Sequence, residues 1–214
     1  MSGVTSASVE RRPYAPRMAP DQRREQLLDT ALRIALDRGF HAVTVEGVAK
    51  AAGVTRPVVY GLFADRAELL SALLARSESR ALAQLAPALP AVPGPEDYVD
   101  PDALLVDGVT AYLAAVRDDP DTWRAVLLPP EGAPPELAAR LNAVHRDVLR
   151  ELRTLVTWGL ERRGGGALDV DLFARSVMTL AEGAARLMLQ SPQRYPVERF
   201  RAFTEDVLAG LLRA

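Results

Sequence analysis

"TVEGVAKAAGVTRPVVYGLF", residues 44–63, decides how the rest of the chain is read. Thr44 is a helix-capping residue type, and a short run with helical spacing follows it. Gly53 stops that run. Thr55, Arg56 and Pro57 then restart a helix, with Thr55 able to cap it. Pro57 falls in the first turn, where a missing N–H costs nothing. This second piece is expected to end near Phe63, and Gly61 breaks it, so it is too short to stand alone. Two short helices around a tight turn form a helix-turn-helix. The demands of that unit are steric. A small residue is needed where the helices touch, and Ala49 supplies it. A residue that tolerates positive φ is needed in the turn, and Gly53 supplies it. Val48, Ala52, Val54, Val59 and Leu62 or Phe63 supply the apolar anchors.

The flanks extend the unit. Residues 21–38 read as a helix with Asp21 as its cap and Leu27, Leu28, Ala31, Leu32 and Ala35 as one apolar stripe. Gly39 ends it, and Phe40 turns back toward the core. Downstream, Asp65 and Glu68 form a capping box. Leu69, Leu70, Leu73, Leu74, Leu82 and Leu85 then carry a long amphipathic helix to about Ala86.

On these residues the chain resembles the TetR family of transcriptional repressors. The similarity runs through "REQLLDTALRIALDRGF", residues 24–40, and "TVEGVAKAAGVTRPVVYGLFADRAELLSALL", residues 44–74. Two positions depart from the family pattern. Gly61 and Leu62 stand where a bulky aromatic or His is usual, and Arg66 stands where a lysine is usual. The resemblance implies that Thr44 caps its helix against a phosphate and that Thr55 and Arg56 open the recognition helix. It implies that Pro57 and Val58 face bases, that Tyr60 reaches a backbone phosphate, and that Arg66 touches another.

Elementary chemistry supports those assignments. A guanidinium at the start of a recognition helix can grip guanine O6 and N7, and Pro57 and Val58 can pack on a thymine methyl. Tyr60 and the two threonines can donate to phosphates, which fixes register without reading sequence. A second reading is open at this stage, with Tyr60 a phenol at the core edge and Thr55 only a cap. Gly61 has two readings as well, a close backbone approach to the DNA wall or a lost contact.

The chain totals fit without deciding anything. The 214 residues are 49% hydrophobic and 25% charged, with sparse aromatics and much Ala and Leu, which favours helix. The net charge is −2, divided as +2 over residues 1–70 and −4 over the remainder. There is no cysteine, which excludes disulfides, thiolate metal sites and thiol nucleophiles. No apolar stretch of about 20 residues could span a bilayer, so the expected location is the cytoplasm without membrane association. His41 and His145 are far apart in sequence, and no metal-ligand cluster or cofactor motif is visible. "RRGGGALD", residues 162–169, lacks the strand needed for a phosphate loop.

No alternating strand pattern of useful length occurs, and the expected fold class is all-α. A disordered tail is expected over residues 1–20, either as plain leader or as a basic arm using Arg11, Arg12 and Arg17. The helix-turn-helix DNA-binding domain is expected over residues 21–66. A larger helical ligand-binding and dimerisation domain is expected over residues 67–214. Five prolines in residues 87–101 mark a stiff loop, and five helices follow, at about 102–118, 121–128, 134–163, 169–190 and 196–213.

The last two of these helices are the expected pairing surface of a homodimer, since one helix-turn-helix reads only half of a palindromic operator. Phe173, Val177, Leu180, Ala184 and Leu187 line one face, and Phe200, Phe203, Val207 and Leu211 line the other. An intramolecular core is the competing use of both. The helix over 134–163 carries an apolar arc wide enough to meet several neighbours or to line a cavity. The family resemblance implies a small-molecule pocket in this domain. Candidate lining residues are Tyr112, Trp123, Leu127, His145, Trp158 and Met178, with ordinary core packing as the alternative. Glu182 and Arg186 are expected to form a solvated surface pair opposite the apolar face.

The leading expectation is a repressor that binds its operator as a homodimer and is released by a small-molecule effector. A regulator without a ligand, or an activator, is the alternative. An enzyme on a helical scaffold is disfavoured, because no nucleophile–base pair or paired carboxylate is visible.

Overall fold

The computed structural model describes residues 18–211 apart from 95, 98, 130, 133, 134, 165 and 166; of the side chains of Pro135, Leu137 and Leu211 nothing is described. The expected tail, with Arg11, Arg12 and Arg17, lies outside these residues, as does part of the glycine run at 164–166. The described residues form nine α-helices and two short 3-10 turns, with no strand among them. The helices are α1 (Pro20–Arg38), α2 (Val45–Ala51), α3 (Arg56–Tyr60), α4 (Arg66–Leu85), α5 (Pro101–Asp118), α6 (Pro120–Leu127), α7 (Pro135–Arg162), α8 (Val170–Gln190) and α9 (Val197–Leu211). The all-α class and the succession of helices follow the sequence reading closely.

Local chemistry sets most of the helix starts. Thr44, Asp65, Asp119 and Asp169 each accept a bond from a first-turn backbone N–H, which fills a donor the helix leaves open. Glu68 completes the start of α4 by accepting from the Ala64 N–H at 2.6 Å. The reading of Asp21 as a cap is corrected: α1 begins one residue earlier at Pro20, so Asp21 sits inside the first turn.

Two apolar cores organise the helices. Leu27, Leu28, Ala31, Phe40, Val43, Val48, Val59, Phe63, Leu69 and Leu73 close the first, between α1, α2, α3 and the start of α4. Tyr112, Leu113, Val116, Trp123, Ala185 and Met188 sit in the second, with Ala81 from the far part of α4. Helix α4 therefore serves both. Charges tie it to α1 as well: the nearly buried Arg76 donates to Asp29 at 2.7 Å and to Glu25 at 3.2 Å, and Arg80 reaches the same two carboxylates.

The second body also touches the first directly. Ala125 of α6 is buried in the first core. In the segment after α6, the Glu131 carbonyl accepts from the Phe40 N–H at 3.0 Å.

Candidate nucleic-acid interface and effector cavity

Helix α3 has five residues, and Val59 alone among them is buried, at 0% exposure. Val59 and Phe63 anchor the helix to the first core. Gly53 adopts φ 67°, as the turn requires, and the Val54 N–H returns to the Ala49 carbonyl at 2.9 Å. With its back fixed, α3 turns Thr55, Arg56, Pro57, Val58 and Tyr60 outward, all exposed. Tyr60 is 55% exposed, which removes the reading of it as a core-edge phenol. Thr55 occupies the cap position but makes no side-chain capping bond, so the expected cap is corrected and its hydroxyl remains unused there. The Thr44 hydroxyl oxygen accepts from the Gly47 N–H at 2.9 Å, which leaves its own proton to donate outward.

Arg56 forms an ion pair with Glu46 of α2, holding the guanidinium between the two helices. Arg66 differs from the expectation. Its Nε donates to the Val43 carbonyl at 2.6 Å and its Nη2 to the Phe40 carbonyl at 2.8 Å. The side chain thus clamps the turn leading into α2. Gly61 is right-handed helical, with φ −70°, and a Cβ there would meet nothing closer than 3.4 Å. Neither backbone conformation nor intramolecular crowding requires glycine at that position.

The second body holds a partly open cavity of about 570 Å³ between α4, α5, α6, α7 and α8, with Leu208 of α9 also on its wall. All six candidate lining residues, Tyr112, Trp123, Leu127, His145, Trp158 and Met178, are on its wall. On α7 the wall runs from Leu141 to Arg163 just past its end, roughly 33 Å of helix at about 1.5 Å per residue. Two expectations on α8 are corrected by this cavity. Phe173 and Val177, assigned to the pairing face, line the cavity instead. The chosen row straddles two apolar flanks of α8, one turned inward and one outward. Glu182, expected on the surface, also faces the cavity. It accepts from His145 Nε2 at 2.7 Å and from Arg186 Nη2 at 3.0 Å, with 18% of its side chain exposed. The His145 hydrogen bond holds the Glu182 carboxyl below its ordinary range, and the same bond raises the His145 imidazole. Arg186 in turn donates to the Leu127 carbonyl of α6 at 3.3 Å.

The outward flank of α8 exposes Leu180 at 71% and Leu187 at 41%, and α9 exposes Phe203 at 62% and Val207 at 41%. Leu172, which the sequence reading did not select, is exposed beside them. Ala184 and Phe200 are half-buried, and Phe200 packs against the second core with its ring stacked on Tyr195. The Leu211 side chain lies outside the described residues. Among the described residues no group of acidic, His or Cys side chains could hold a metal ion, and no helix is long and apolar enough to cross a membrane.

An exposed helix on a buried helical support, joined to a helical body, is the architecture of DNA-binding proteins of the helix-turn-helix class. Residues 27–73 match the family of bacterial regulatory proteins, tetR family. The HTH-type transcriptional activator FasR of Mycolicibacterium smegmatis is 28% identical over 75% of this chain and 72% of its own length. Four further curated regulators are matched over 26% to 56% of their lengths. The fold is shared with a TetR-like transcriptional regulator from Rhodococcus sp. RHA1, with a TM-score of 0.69 at 19% identity, covering 91% of this chain and 100% of that one. It is shared too with the regulator FadR from Bacillus subtilis, solved with stearoyl-CoA, with a TM-score of 0.59 at 18% identity over 86% of this chain and 95% of that one. Residues 27–73 are thus similar to the tetR-family segment, and the chain as a whole shares the fold of TetR-like regulators. The matches are to regulators and not to enzymes.

Proposed function

We propose that the protein is a cytoplasmic, effector-responsive repressor that binds a palindromic operator as a homodimer. The observation that carries this reading is the outward face formed by Thr55 and α3, in which five of the six residues 55–60, all but Val59, are free of the core. Arg56, Pro57 and Val58 face base edges, and Thr44, Thr55 and Tyr60 donate to phosphates. Arg66 acts from behind as a clamp on the start of α2. Residues 21–66 form the reading head, and residues 67–214 hold the effector and the pairing surface. Two copies join through the exposed flanks of α8 and α9, which sets the heads about 34 Å apart.

The cavity is the effector site of this proposal. Its wall includes α4, which also serves the first core, and α6, whose Ala125 and following segment touch the head. An effector that binds two arrangements of these helices unequally shifts the separation of the heads. The name of FasR supports a second reading, in which the bound protein activates transcription.

A gel shift on DNA upstream of the gene, across a salt series, tests the binding. A sequence-specific complex whose affinity falls steeply with salt is expected. Equal binding to unrelated duplexes overturns the operator reading. A reporter driven from that DNA separates repression from activation.

A further inference from the structure

The charged side chains on the cavity wall are Glu78, Asp102, His145, Arg163 and Glu182. Each already has a partner of opposite sign. Glu78 is paired with Arg140 at 2.9 Å, Asp102 with Arg163, and Glu182 with both His145 and Arg186. A charged group entering the cavity would therefore be buried uncompensated, or would have to break one of these pairs. The indole N–H of Trp123 is also occupied, donating to Gln84 Oε1 at 2.8 Å.

Tyr112, also on the wall, differs from these. Tyr112 is 8% exposed as a whole, no hydrogen bond contributes to the shift of its phenol, and the hydroxyl is not among the fully buried unpartnered atoms, so it opens onto the cavity. Its ring is fixed edge-on against Trp123, with centroids 5.2 Å apart. Burial raises its pKa, and the nearby Glu182 carboxylate raises it further, against a smaller opposing effect of Arg186. The phenol is thus a neutral group. An occupant that displaces water from this hydroxyl leaves it unpaired unless it supplies a partner of its own.

We propose that the effector is an uncharged, elongated lipophile carrying a single hydroxyl or carbonyl oxygen that hydrogen-bonds to Tyr112. This rests on the reading of the cavity as the effector site. The volume suits such a molecule: about 570 Å³ corresponds to roughly 19 water-sized groups at about 30 Å³ each. The remaining wall is dominated by aliphatic and aromatic side chains such as Leu152, Leu155, Trp158 and Phe173.

The test uses three probes of matched chain length, 1-decanol, decanoate and decylammonium, on the full chain without DNA. Both tryptophans of the sequence, Trp123 and Trp158, are on the cavity wall, so their fluorescence and the thermal midpoint report occupancy directly. Decanol is expected to bind at least about tenfold more tightly than either charged probe. Tyr112→Phe is expected to cut decanol affinity about fivefold, the scale of one lost neutral hydrogen bond, while the midpoint of the empty protein changes little. Glu182→Gln releases His145 and Arg186 from their carboxylate, and is expected to improve decanoate binding severalfold with little change for decanol. Decanoate or decylammonium binding as tightly as decanol to the unaltered chain overturns the proposal, and so does a Tyr112→Phe variant with unchanged decanol affinity. If none of the three binds, the cavity loses its effector role as well. Because DNA is absent, none of these outcomes depends on whether the operator reading is right.

Discussion

Arg66 and Val43 are joined by a hydrogen bond of 2.6 Å from the guanidinium Nε to the backbone carbonyl, across 23 residues of sequence. Val43 immediately precedes Thr44, the cap of α2, so the bond fixes the entry to the helix-turn-helix. Arg66→Ala is expected to lower operator affinity and to reduce stability by about 1 kcal/mol. The slope of log affinity against log salt should stay that of the unaltered protein, because no phosphate contact is lost. A slope reduced by about one unit would assign Arg66 to a phosphate instead.

Arg56 and Tyr60 separate base reading from backbone positioning. Arg56→Ala is expected to relax preference at one base pair per half-site, removing about 1–3 kcal/mol of discrimination. Tyr60→Phe should weaken all duplexes to the same degree. Binding measured on a library of operators with single base changes distinguishes the two patterns, and an unchanged preference in Arg56→Ala would reassign the base contact.

Leu180 is the most exposed large apolar side chain among the described residues, at 71%. Placing a charge there should be harmless in a monomer and disruptive at a pairing surface. Leu180→Glu is expected to sediment as a monomer at micromolar concentration while keeping its helical circular dichroism. Operator affinity should fall roughly 100-fold or more, since the two half-sites are then bound separately. A dimer that survives this change would place the pairing surface elsewhere.

His145 and Glu182 make stability depend on pH. The histidine pKa is raised, so its contribution is full below about pH 6.5 and is lost as pH climbs through the raised value. The glutamate pKa is lowered, so its contribution is full above about pH 4.5 and is lost as pH falls through the lowered value. Both are present between those limits. The thermal midpoint should therefore fall from pH 6 to pH 8.5 by more in the unaltered chain than in His145→Gln. With 41% of the His145 side chain exposed, solvent screening limits the difference to a few tenths of a kcal/mol. Identical pH profiles for the two proteins would show that the pair does not form in solution.

The features legible in the sequence are those set by near neighbours. Thr44 and Asp65 announce helix starts because a cap and its acceptor bond lie within three residues. Gly53 announces the turn because its backbone conformation leaves few other choices. Arg66 is the opposite case. Its acceptors lie 23 and 26 residues away, and spacing carries no trace of them. Glu182 was misplaced for a related reason. On a helix wheel it falls opposite the apolar stripe, which describes a surface only when the helix has one buried face. Helix α8 has an inward flank facing the cavity and an outward apolar flank, so periodicity gave a direction without saying what lay there. Phe173 and Val177 fell at the border between those flanks. His145 and Trp158 reached the cavity wall because large side chains on the wide apolar arc of α7 must meet several neighbours or a void, whereas the other four candidates rested on the pocket the resemblance implied.

The shared wall between the two bodies sets a rule for building chimaeras. A reading head cut out at residue 66 would leave behind Leu69, Leu70, Leu73 and Leu74 of α4 and Ala125 of α6, which fill its interior, and Glu131, whose carbonyl holds the Phe40 N–H. Grafted onto a foreign body, it would arrive with a hole in its base and a dangling backbone donor. A transplant intended to give a new operator specificity must carry the start of α4 through Leu74 and matching residues at 125 and 131 from the same parent, or it will sacrifice stability before it changes specificity.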